Sequence, residues 1–462
     1  MSSDAPVPFD VGLLSPVTAG YDQDTSDAAV LVALVAAEVA LARAWARVGA
    51  APGVLAEAIA DALGAQPSPD EPGLPETSWL SAADLAVAAR AGGNPVIPLV
   101  GALKQRVPAE AAEWVHRGAT SQDIVDSALM LTARRAGGQI VADLEAIESQ
   151  LAARAAAHRG DVAVARTLGQ HAVPTTIGLR LATWLGGITR ARSRLAGVLG
   201  ELPAQLGGAG GTLASFVEVG GVAAASGLPG AFAAELGLAA PDAPWHTTRW
   251  PVTELGDALT QATDALGVIA GDVVTLSRTE IGELAEGSGG GSSAMPHKRN
   301  PAAAVLVRSA ALRAPHLSAT LHTAAALAVD ERPDGAWHAE WPALRELLRL
   351  GRGAAATTAG LVAGLRIAPS AAARNLTMTE GLILAERVAL VLTPLLGTDA
   401  TADLLARAGA GEPLADLVTA AAGAAGADLD VAQLLDPAGY LGLADSLVDA
   451  AVSRAASPEE PS

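Results

Sequence analysis

The chain has 462 residues, too many for one compact core, which predicts two or three domains or one elongated helical bundle. It contains no cysteine, which excludes disulfides, thiol catalysis and thiolate metal sites. The formal net charge of −19 argues against nucleic acid or an anionic membrane as a partner, so a small anionic substrate would need a local basic patch. Half of the residues are apolar and only 3% are aromatic, which favours long, closely packed helices.

The N-terminal region has no basic segment followed by an apolar one, as a secretion signal would have. Its apolar run from Ala28 to Ala37 stops at Glu38 and is too short to span a bilayer. We therefore expect a soluble, cytoplasmic protein that binds neither nucleic acid nor membrane.

In chain order, the first predicted helix starts at Ser26 or Asp27 and ends before Gly49. Proline and glycine residues at 65–77 and 92–98 break the following region into short pieces. Longer helices are then predicted at 121–136, 139–158, 174–199, 252–283 and 301–328.

Pro174 and Pro301 stand where two of these helices are predicted to begin. Alternating strand patterns are almost absent. After about residue 366 the helices become shorter, and the charged tail 457–462 is predicted to be disordered. The sequence predicts an all-α fold of three regions: an N-terminal helical domain at 1–110, a central long-helix bundle at 111–366 and a small C-terminal helical domain at 367–462.

The most informative stretch is the glycine-rich segment 287–301, GSGGGSSAMPHKRNP. Only two of the 30 basic residues are lysines, Lys104 and Lys298, and one of them lies in this segment. A flexible linker followed by a helix start would explain the glycines and the Asn300-Pro301 pair alone. The complete string instead predicts a mobile loop that presents a hydroxyl, an ammonium and an amide to one small anion.

Three further segments place polar residues at a helix start or in a turn: 116–123 (HRGATSQD), 166–176 (RTLGQHAVPTT) and 205–212 (QLGGAGGT). Hydroxyls and backbone N–H groups at a helix N-terminus form a carboxylate site, and glycines let the backbone approach a ligand closely. Each segment also has a structural interpretation, as a capped turn, a packed histidine or a tight turn. Segment 245–249 (WHTTR) is a weaker candidate, because aromatic packing would explain most of it.

Segments 291–301, 116–123 and 205–212 together resemble the signature regions of the fumarase/aspartase superfamily, in the same order, and the resemblance covers residues from about 10 to about 400. Segments 170–176 and 330–337 (DERPDGAW) make the chain most similar to the bacterial 3-carboxy-cis,cis-muconate cycloisomerases of that superfamily. The resemblance implies an all-α homotetramer with a shared core of 20 helices, in which three subunits form each active site.

The activity implied by the resemblance is the reversible lactonisation of 3-carboxy-cis,cis-muconate in aromatic (β-ketoadipate) catabolism, without metal or cofactor. Ser292 would exchange the carbon-bound proton and Lys298 would stabilise its alkoxide; His171 is a further catalytic candidate, unless it only packs. The implied substrate-binding residues are His116, Thr120, Ser121, Gln205, Arg249, Asn300 and Arg332. Arg249 precedes Trp250, where many relatives have an acidic residue, so its assignment departs from the family pattern.

A second departure concerns the leaving group. Superfamily lyases that expel an amine or hydroxide carry a histidine directly after Arg-Thr, and here that residue is Leu168. Such leaving groups need a proton as the bond breaks, whereas a carboxylate, whose conjugate acid has a pKa of about 4, leaves without one. The sequence therefore favours lactonisation. It leaves open a lyase, adenylosuccinate-lyase-like or of nitrosuccinate type, that forms fumarate and releases nitrite or another weakly basic group.

A catalytically silent structural relative is the third alternative. The joint retention of Ser292, Lys298 and Asn300 argues against it, because a structural protein has no need for all three groups.

Replacing Ser292 by alanine is expected to abolish turnover while the tetramer and the substrate affinity persist, because the hydroxyl handles a proton and does not anchor the substrate. Steady-state kinetics combined with calorimetric binding would measure both properties. Substantial remaining activity would refute the proton assignment.

Overall fold

The computed structural model describes residues 10–65, 74–287, 290–291 and 295–456. Helices dominate these ranges, which confirms the mostly helical class. The helices are α1 (Asp27–Arg47), α2 (Gly53–Ala62), α3 (Ala82–Gly92), α4 (Val96–Arg106), α5 (Ser121–Ala157), α6 (Ile177–Gly200), α7 (Ala214–Leu236), α8 (Trp250–Leu276), α9 (Ala302–Ala326), α10 (Gly335–Ala363), α11 (Pro369–Leu376), α12 (Ala385–Leu396), α13 (Thr398–Gly409), α14 (Leu414–Ala424), α15 (Val431–Leu434) and α16 (Ala444–Ala456). The predicted disordered tail 457–462 lies outside the described residues.

Short strands form three antiparallel pairs within the described ranges. They are β1 (Val162–Thr167) with β2 (Gln170–Thr176), β3 (Leu284–Ala285) with β6 (Arg366–Ile367), and β4 (Gly290–Gly291) with β5 (Arg299–Asn300). The β1–β2 hairpin was not predicted. Pro174 lies within β2 opposite Val164, so the prediction that it begins a helix is wrong, and α6 begins only at Ile177.

The located helix predictions correspond to α1, α5, α6, α8 and α9, although α8 ends at Leu276 and not at 283. The long helices α7 and α10 were not predicted. Ser26 caps α1 as predicted, its Oγ accepting the Ala29 N–H at 3.2 Å. The predicted helices 121–136 and 139–158 are one helix, α5, which continues through Gly137. A side chain at Gly137 would overlap Leu199, so this glycine permits close helix packing instead of ending the helix.

The chain divides into two compact units, each built from three stretches of sequence. The first unit comprises the described residues of Met1–Asp143, Ala191–Asp264 and Ser309–Thr357. In its core the Trp45 ring of α1 packs against Phe216 and Trp114, with ring centroids 5.8 and 6.0 Å apart.

The second unit comprises the described residues of Leu144–Arg190, Ala265–Arg308 and Thr358–Ser462. Its short C-terminal helices have an aliphatic cluster of their own, which includes the fully buried Val388, Leu392 and Val418. The predicted domain boundaries at 110 and 366 stay a prediction.

Two described helices, α1 and α7, are long and apolar enough to cross a membrane. In α1, 67% of the most apolar window is buried inside the protein, as expected of a core helix. The corresponding share in α7 is 33%, and α7 is interrupted at Gly221, whose φ of 77° is not helical. The expected cytoplasmic location stays a prediction.

Two glycines of α10 test the packing of this helix. A methyl group at Gly353 would overlap the Val17 carbonyl oxygen, so Gly353→Ala is expected to lower the free energy of unfolding by about 1–3 kcal/mol. Gly360 has open space where a Cβ would lie, so Gly360→Ala should be neutral or stabilise by about 0.5–1 kcal/mol. Denaturant unfolding of both variants checks this, and equal effects would contradict it.

Candidate active site

The N-terminus of α5 carries the first group of predicted site residues. The Thr120 N–H donates to the Asp123 carboxylate at 3.0 Å, and the Asp123 N–H donates to the Thr120 carbonyl at 3.0 Å. Ser121, the first helical residue, is partly exposed. The unpaired N–H groups of a first helical turn and its positive dipole end favour a bound anion at this place.

The buried carboxylate of Asp123 joins this helix start to two other segments. It accepts the N–H groups of Gly207 and Gly208 at 2.9 and 3.0 Å, and it lies 3.0 Å from the Nε2 atom of His246. Gly207 packs so closely on Pro244 and His246 that a Cβ would approach both within 2.8 Å. Three segments found separately in the sequence thus meet at one carboxylate.

Arg332 reaches the same helix start from the segment between α9 and α10. Its Nη2 donates to the Thr120 hydroxyl and, at 3.2 Å, to the Ala209 carbonyl. Its buried Nε has no hydrogen-bond partner within the described residues. The predicted residues Arg332 and Thr120 are therefore in direct contact, and one buried guanidinium donor is left without a partner among the described residues.

Gln205 lies directly before the glycine turn and is fully buried. Its Oε1 accepts the Trp245 N–H at 2.8 Å, but its Nε2 has no partner among the described residues. A buried donor without an acceptor costs about 1–3 kcal/mol, which an anionic ligand would recover. With its side chain enclosed, however, Gln205 contacts a ligand only if the turn opens.

His116 is held against α1 by a buried acidic residue. Its Nδ1 lies 2.7 Å from the Glu38 carboxylate, and its φ of 59° is unusual for a residue with a side chain. Burial alone would lower the pKa of His116, but the charge and hydrogen bond of Glu38, with a smaller contribution from Asp123, raise this pKa above its usual value. Glu38 was not among the predicted site residues, although its charge ends the apolar run 28–37 within α1.

Arg249, predicted to bind substrate, is held in buried ion pairs. Its guanidinium is almost fully buried and donates to Asp126 at 2.7 and 3.0 Å and to Glu340 at 2.7 to 3.2 Å. Trp337 donates its indole N–H to the same Asp126 at 2.9 Å. Because every guanidinium nitrogen is used internally, this arrangement indicates a positioning role for Arg249, and its predicted contact with substrate stays a prediction.

His171 lies on β2, opposite Arg166 on β1. It is partly exposed and borders a cavity of about 620 Å³ that Arg166 and Arg180 also line. Burial and the nearby Arg166 charge lower the pKa of His171, with Glu283 acting in the opposite direction. The ring is therefore neutral near pH 7, and its place beside the cavity is compatible with a ligand contact.

The turn of this hairpin contains Leu168, the residue that replaces the histidine of other lyases. Leu168 and Gly169 both have positive φ, 51° and 82°, as a two-residue type I′ turn requires. The Leu168 side chain is completely exposed. Arg166, two residues before the turn, and Arg180 of α6 both pair with the buried Glu283, at 2.6 and 3.2 Å.

The signature loop begins after Glu286, whose carboxylate accepts the N–H groups of Ala303 and Ala304 at 3.2 and 2.8 Å. These bonds fix Glu286 to the N-terminus of α9. Lys298 is exposed, and Asn300 pairs in β5 with Gly290 of β4. The predicted proton-transfer residue Ser292 lies outside the described residues.

The predicted site residues are divided between the two units. The first contains His116, Thr120, Ser121, Gln205, Arg249 and Arg332, and the second contains His171, Lys298 and Asn300. Thr120, Arg332 and the 205–209 turn are brought together, whereas no hydrogen bond between described residues joins His171 to Lys298 or Asn300. Within the described part of the chain, no three His, Asp or Glu side chains are grouped as metal ligands would be.

The chain is similar to known proteins in sequence and in structure. A family model described as lyase matches residues 21–315. The chain is 48% identical to a nitrosuccinate lyase of Streptomyces davaonensis, over 96% of this chain and 94% of that protein. It is 40% identical to a 3-carboxy-cis,cis-muconate cycloisomerase of Pseudomonas aeruginosa, over 93% and 92%. The crystal structure of the 3-carboxy-cis,cis-muconate lactonizing enzyme from Pseudomonas putida is similar with a TM-score of 0.84 and 35% identity, covering 96% of this chain and 99% of that one.

Arg249→Met tests the positioning role. Removing the cation leaves Asp126 and Glu340 buried without compensation, so we expect a loss of about 3–5 kcal/mol in the free energy of unfolding. Unpaired buried carboxylates have raised pKa values, and their neutral forms fit the folded state at low pH. The stability deficit should therefore grow from mildly acidic to neutral pH.

Thermal unfolding of Arg249→Met and the wild type at mildly acidic pH and at neutral pH measures this change in the stability deficit. Arg159→Met, which removes an exposed ion pair with Asp445 and Asp449, is the control and should hardly change Tm. A stable, active Arg249→Met protein would contradict the positioning role.

Proposed function

The chain belongs to the fumarase/aspartase superfamily of lyases, and from this premise we propose that it eliminates nitrite from nitrosuccinate to give fumarate. The 48% identical nitrosuccinate lyase is the observation that carries this proposal. It leads us to prefer, of the two activities that the sequence left open, the lyase over the cycloisomerase.

The reaction breaks a C–H bond next to one carboxylate and the C–N bond on the neighbouring carbon. A C=C bond forms, nitrite leaves with the bonding electron pair, and the proton passes to the enzyme and then to solvent. Nitrite is a weak base and needs no proton to leave. The completely exposed Leu168, at the position where other lyases have a histidine, agrees with a leaving group of this kind.

For the proton transfer we propose Ser292 as the base, in its alkoxide form. A serine hydroxyl is too weak a base unless nearby positive charge stabilises the alkoxide, and Lys298 on the exposed end of the same loop is suited to this role. Asn300 and the Thr120 and Ser121 hydroxyls would stabilise the dianion that develops on the adjacent carboxylate.

For substrate binding we propose the N-terminus of α5 with Arg332. The helix start offers N–H groups and hydroxyls, and the Arg332 guanidinium offers positive charge beside Thr120. His116 would contribute a second positive group, and Gln205 Nε2 would join if the 206–211 turn opens. These groups fit a small dicarboxylate and answer the need for a local basic patch in an acidic chain.

We further propose that the protein works as a homotetramer. The site residues fall in two compact units, and an active site shared between copies of the chain would combine the 116–121 segment of one with the signature loop of another. Size-exclusion chromatography with light scattering tests the tetramer.

The cycloisomerase is the second candidate function. The 40% identical Pseudomonas aeruginosa protein and the TM-score of 0.84 to the Pseudomonas putida enzyme favour it. The two reactions share proton transfer next to a carboxylate. Nitrite leaves in the elimination and a carboxylate leaves in the reverse of lactonisation; both are weak bases, so the same residues serve either reaction.

Purified protein assayed with each substrate distinguishes the two. Nitrosuccinate should release equimolar nitrite and fumarate, measured by diazo coupling and by ultraviolet absorbance, with kcat/KM at least about 100-fold above that for 3-carboxymuconate, a difference of about 3 kcal/mol in transition-state binding. The Ser292→Ala protein controls for uncatalysed loss of nitrite. Loss of carboxymuconate absorbance without nitrite release would instead establish the cycloisomerase.

A further inference from the structure

We propose that Glu38 is a positioning residue that keeps the His116 imidazole protonated, so that its Nε2–H binds a substrate carboxylate. The inference deepens the proposed function and rests on it for the identity of the substrate. Its structural basis is the buried contact between α1 and the segment that leads into α5.

The Glu38 carboxylate is buried and only one of its oxygens has a partner among the described residues. Glu38 is only 1% exposed, its Oε1 lies 2.7 Å from His116 Nδ1, and its Oε2 has no partner among the described residues. A buried carboxylate is stable as an anion only when a cation or several donors compensate it. The His116 ring is the group placed to supply that charge.

The direction of the ring is set by its contact with Glu38. Nδ1 faces Glu38, and no hydrogen bond between described residues involves Nε2. If the ring were neutral with its proton on Nδ1, Nε2 would be an acceptor and would repel a carboxylate. When both nitrogens are protonated, Nε2–H becomes a charged donor toward an anion. Glu38 therefore determines whether His116 attracts or repels the substrate.

Two other charged residues influence the pKa of the His116 ring. Asp123 of α5 raises the His116 pKa, and Lys104 of α4 lowers it. Asp123 already accepts the N–H groups of Thr120, Gly207 and Gly208, so its charge is compensated elsewhere. Glu38 is thus the carboxylate that compensates the imidazolium.

The segment around His116 is also rigid enough to hold this geometry. The Trp45 indole N–H, from the same helix as Glu38, donates to the Arg117 carbonyl at 3.0 Å. A Cβ at Gly118 would come within 2.8 Å of the Phe216 ring. Both contacts fix the backbone on the C-terminal side of His116, so the ring has little freedom to leave Glu38.

The consequence is a pH-dependent KM. Below the His116 pKa the imidazolium binds the substrate and KM is low; as the pH rises through this pKa, KM rises. Glu38→Gln removes the charge that raises the pKa, so the increase in KM should begin at lower pH. At neutral pH, KM should be roughly tenfold or more above wild type, the value of one charge-assisted hydrogen bond, while kcat changes less.

Two measurements on the full-length protein test this. Selective labelling of the eight histidines, with His116 assigned from a His116→Gln sample, gives the His116 pKa by NMR. This pKa should fall in Glu38→Gln and stay unchanged in Glu113→Gln, which removes a neighbouring exposed carboxylate that pairs with Arg117. The pH profile of KM should shift in Glu38→Gln and not in the control.

The outcomes are distinct. An unchanged His116 pKa in Glu38→Gln, or a lowered pKa with an unshifted KM profile, would overturn the inference. If Glu38→Gln does not fold, the wild-type pKa with and without fumarate decides, because a bound carboxylate should raise it and no change would overturn the role. If the His116 pKa falls in Glu38→Gln but the wild-type protein releases no nitrite from nitrosuccinate, the role of the Glu38–His116 pair stands and only the proposed substrate is refuted.

Discussion

The buried carboxylate of Asp123 is the interaction on which the arrangement of the first unit depends. It accepts three backbone N–H groups, from Thr120, Gly207 and Gly208, and contacts the His246 ring. Such a carboxylate would be very unfavourable inside the protein if these donors were absent, so each donor segment is fixed relative to α5. Glycine is needed at 207 and 208 because the main-chain N–H groups of these residues must approach the Asp123 carboxylate closely.

A second buried carboxylate lies one turn further along α5 and extends the same principle. Asp126 receives Arg249 and Trp337, and Arg249 continues to Glu340 of α10. Helical spacing of three residues puts Asp123 and Asp126 on one side of α5. One face of a single helix turn therefore orders the 205–212 turn, the start of α8 and the start of α10. These buried acids fix Arg249, whereas Arg332 donates to the Thr120 hydroxyl and the Ala209 carbonyl and has no carboxylate partner among the described residues.

The sequence predicted helices α1, α5, α6, α8 and α9, because apolar periodicity and capping residues act locally, but it missed the long helices α7 and α10. It failed where the outcome depends on distant partners. Gly137 reads as a helix break until Leu199 is known to occupy the space beside it. The hairpin at 162–176 is short and rich in polar residues, and its register depends on a turn and on Glu283, which is more than 100 residues away. The two carboxylates that surround Arg249, Asp126 and Glu340, are also distant from it in sequence, and only the fold brings them together.

The hairpin turn gives the leaving-group argument a structural form. A left-handed residue with a side chain is most often Asn, Asp or His, and a leucine gains nothing from this backbone conformation. The Leu168 side chain gains nothing from burial either, since it is completely exposed and no apolar neighbour in the described part of its own unit covers it. Local stability therefore does not explain leucine at this position. The turn would accept histidine at least as well, so the leucine is consistent with the proposed reaction, in which the leaving group departs without a proton.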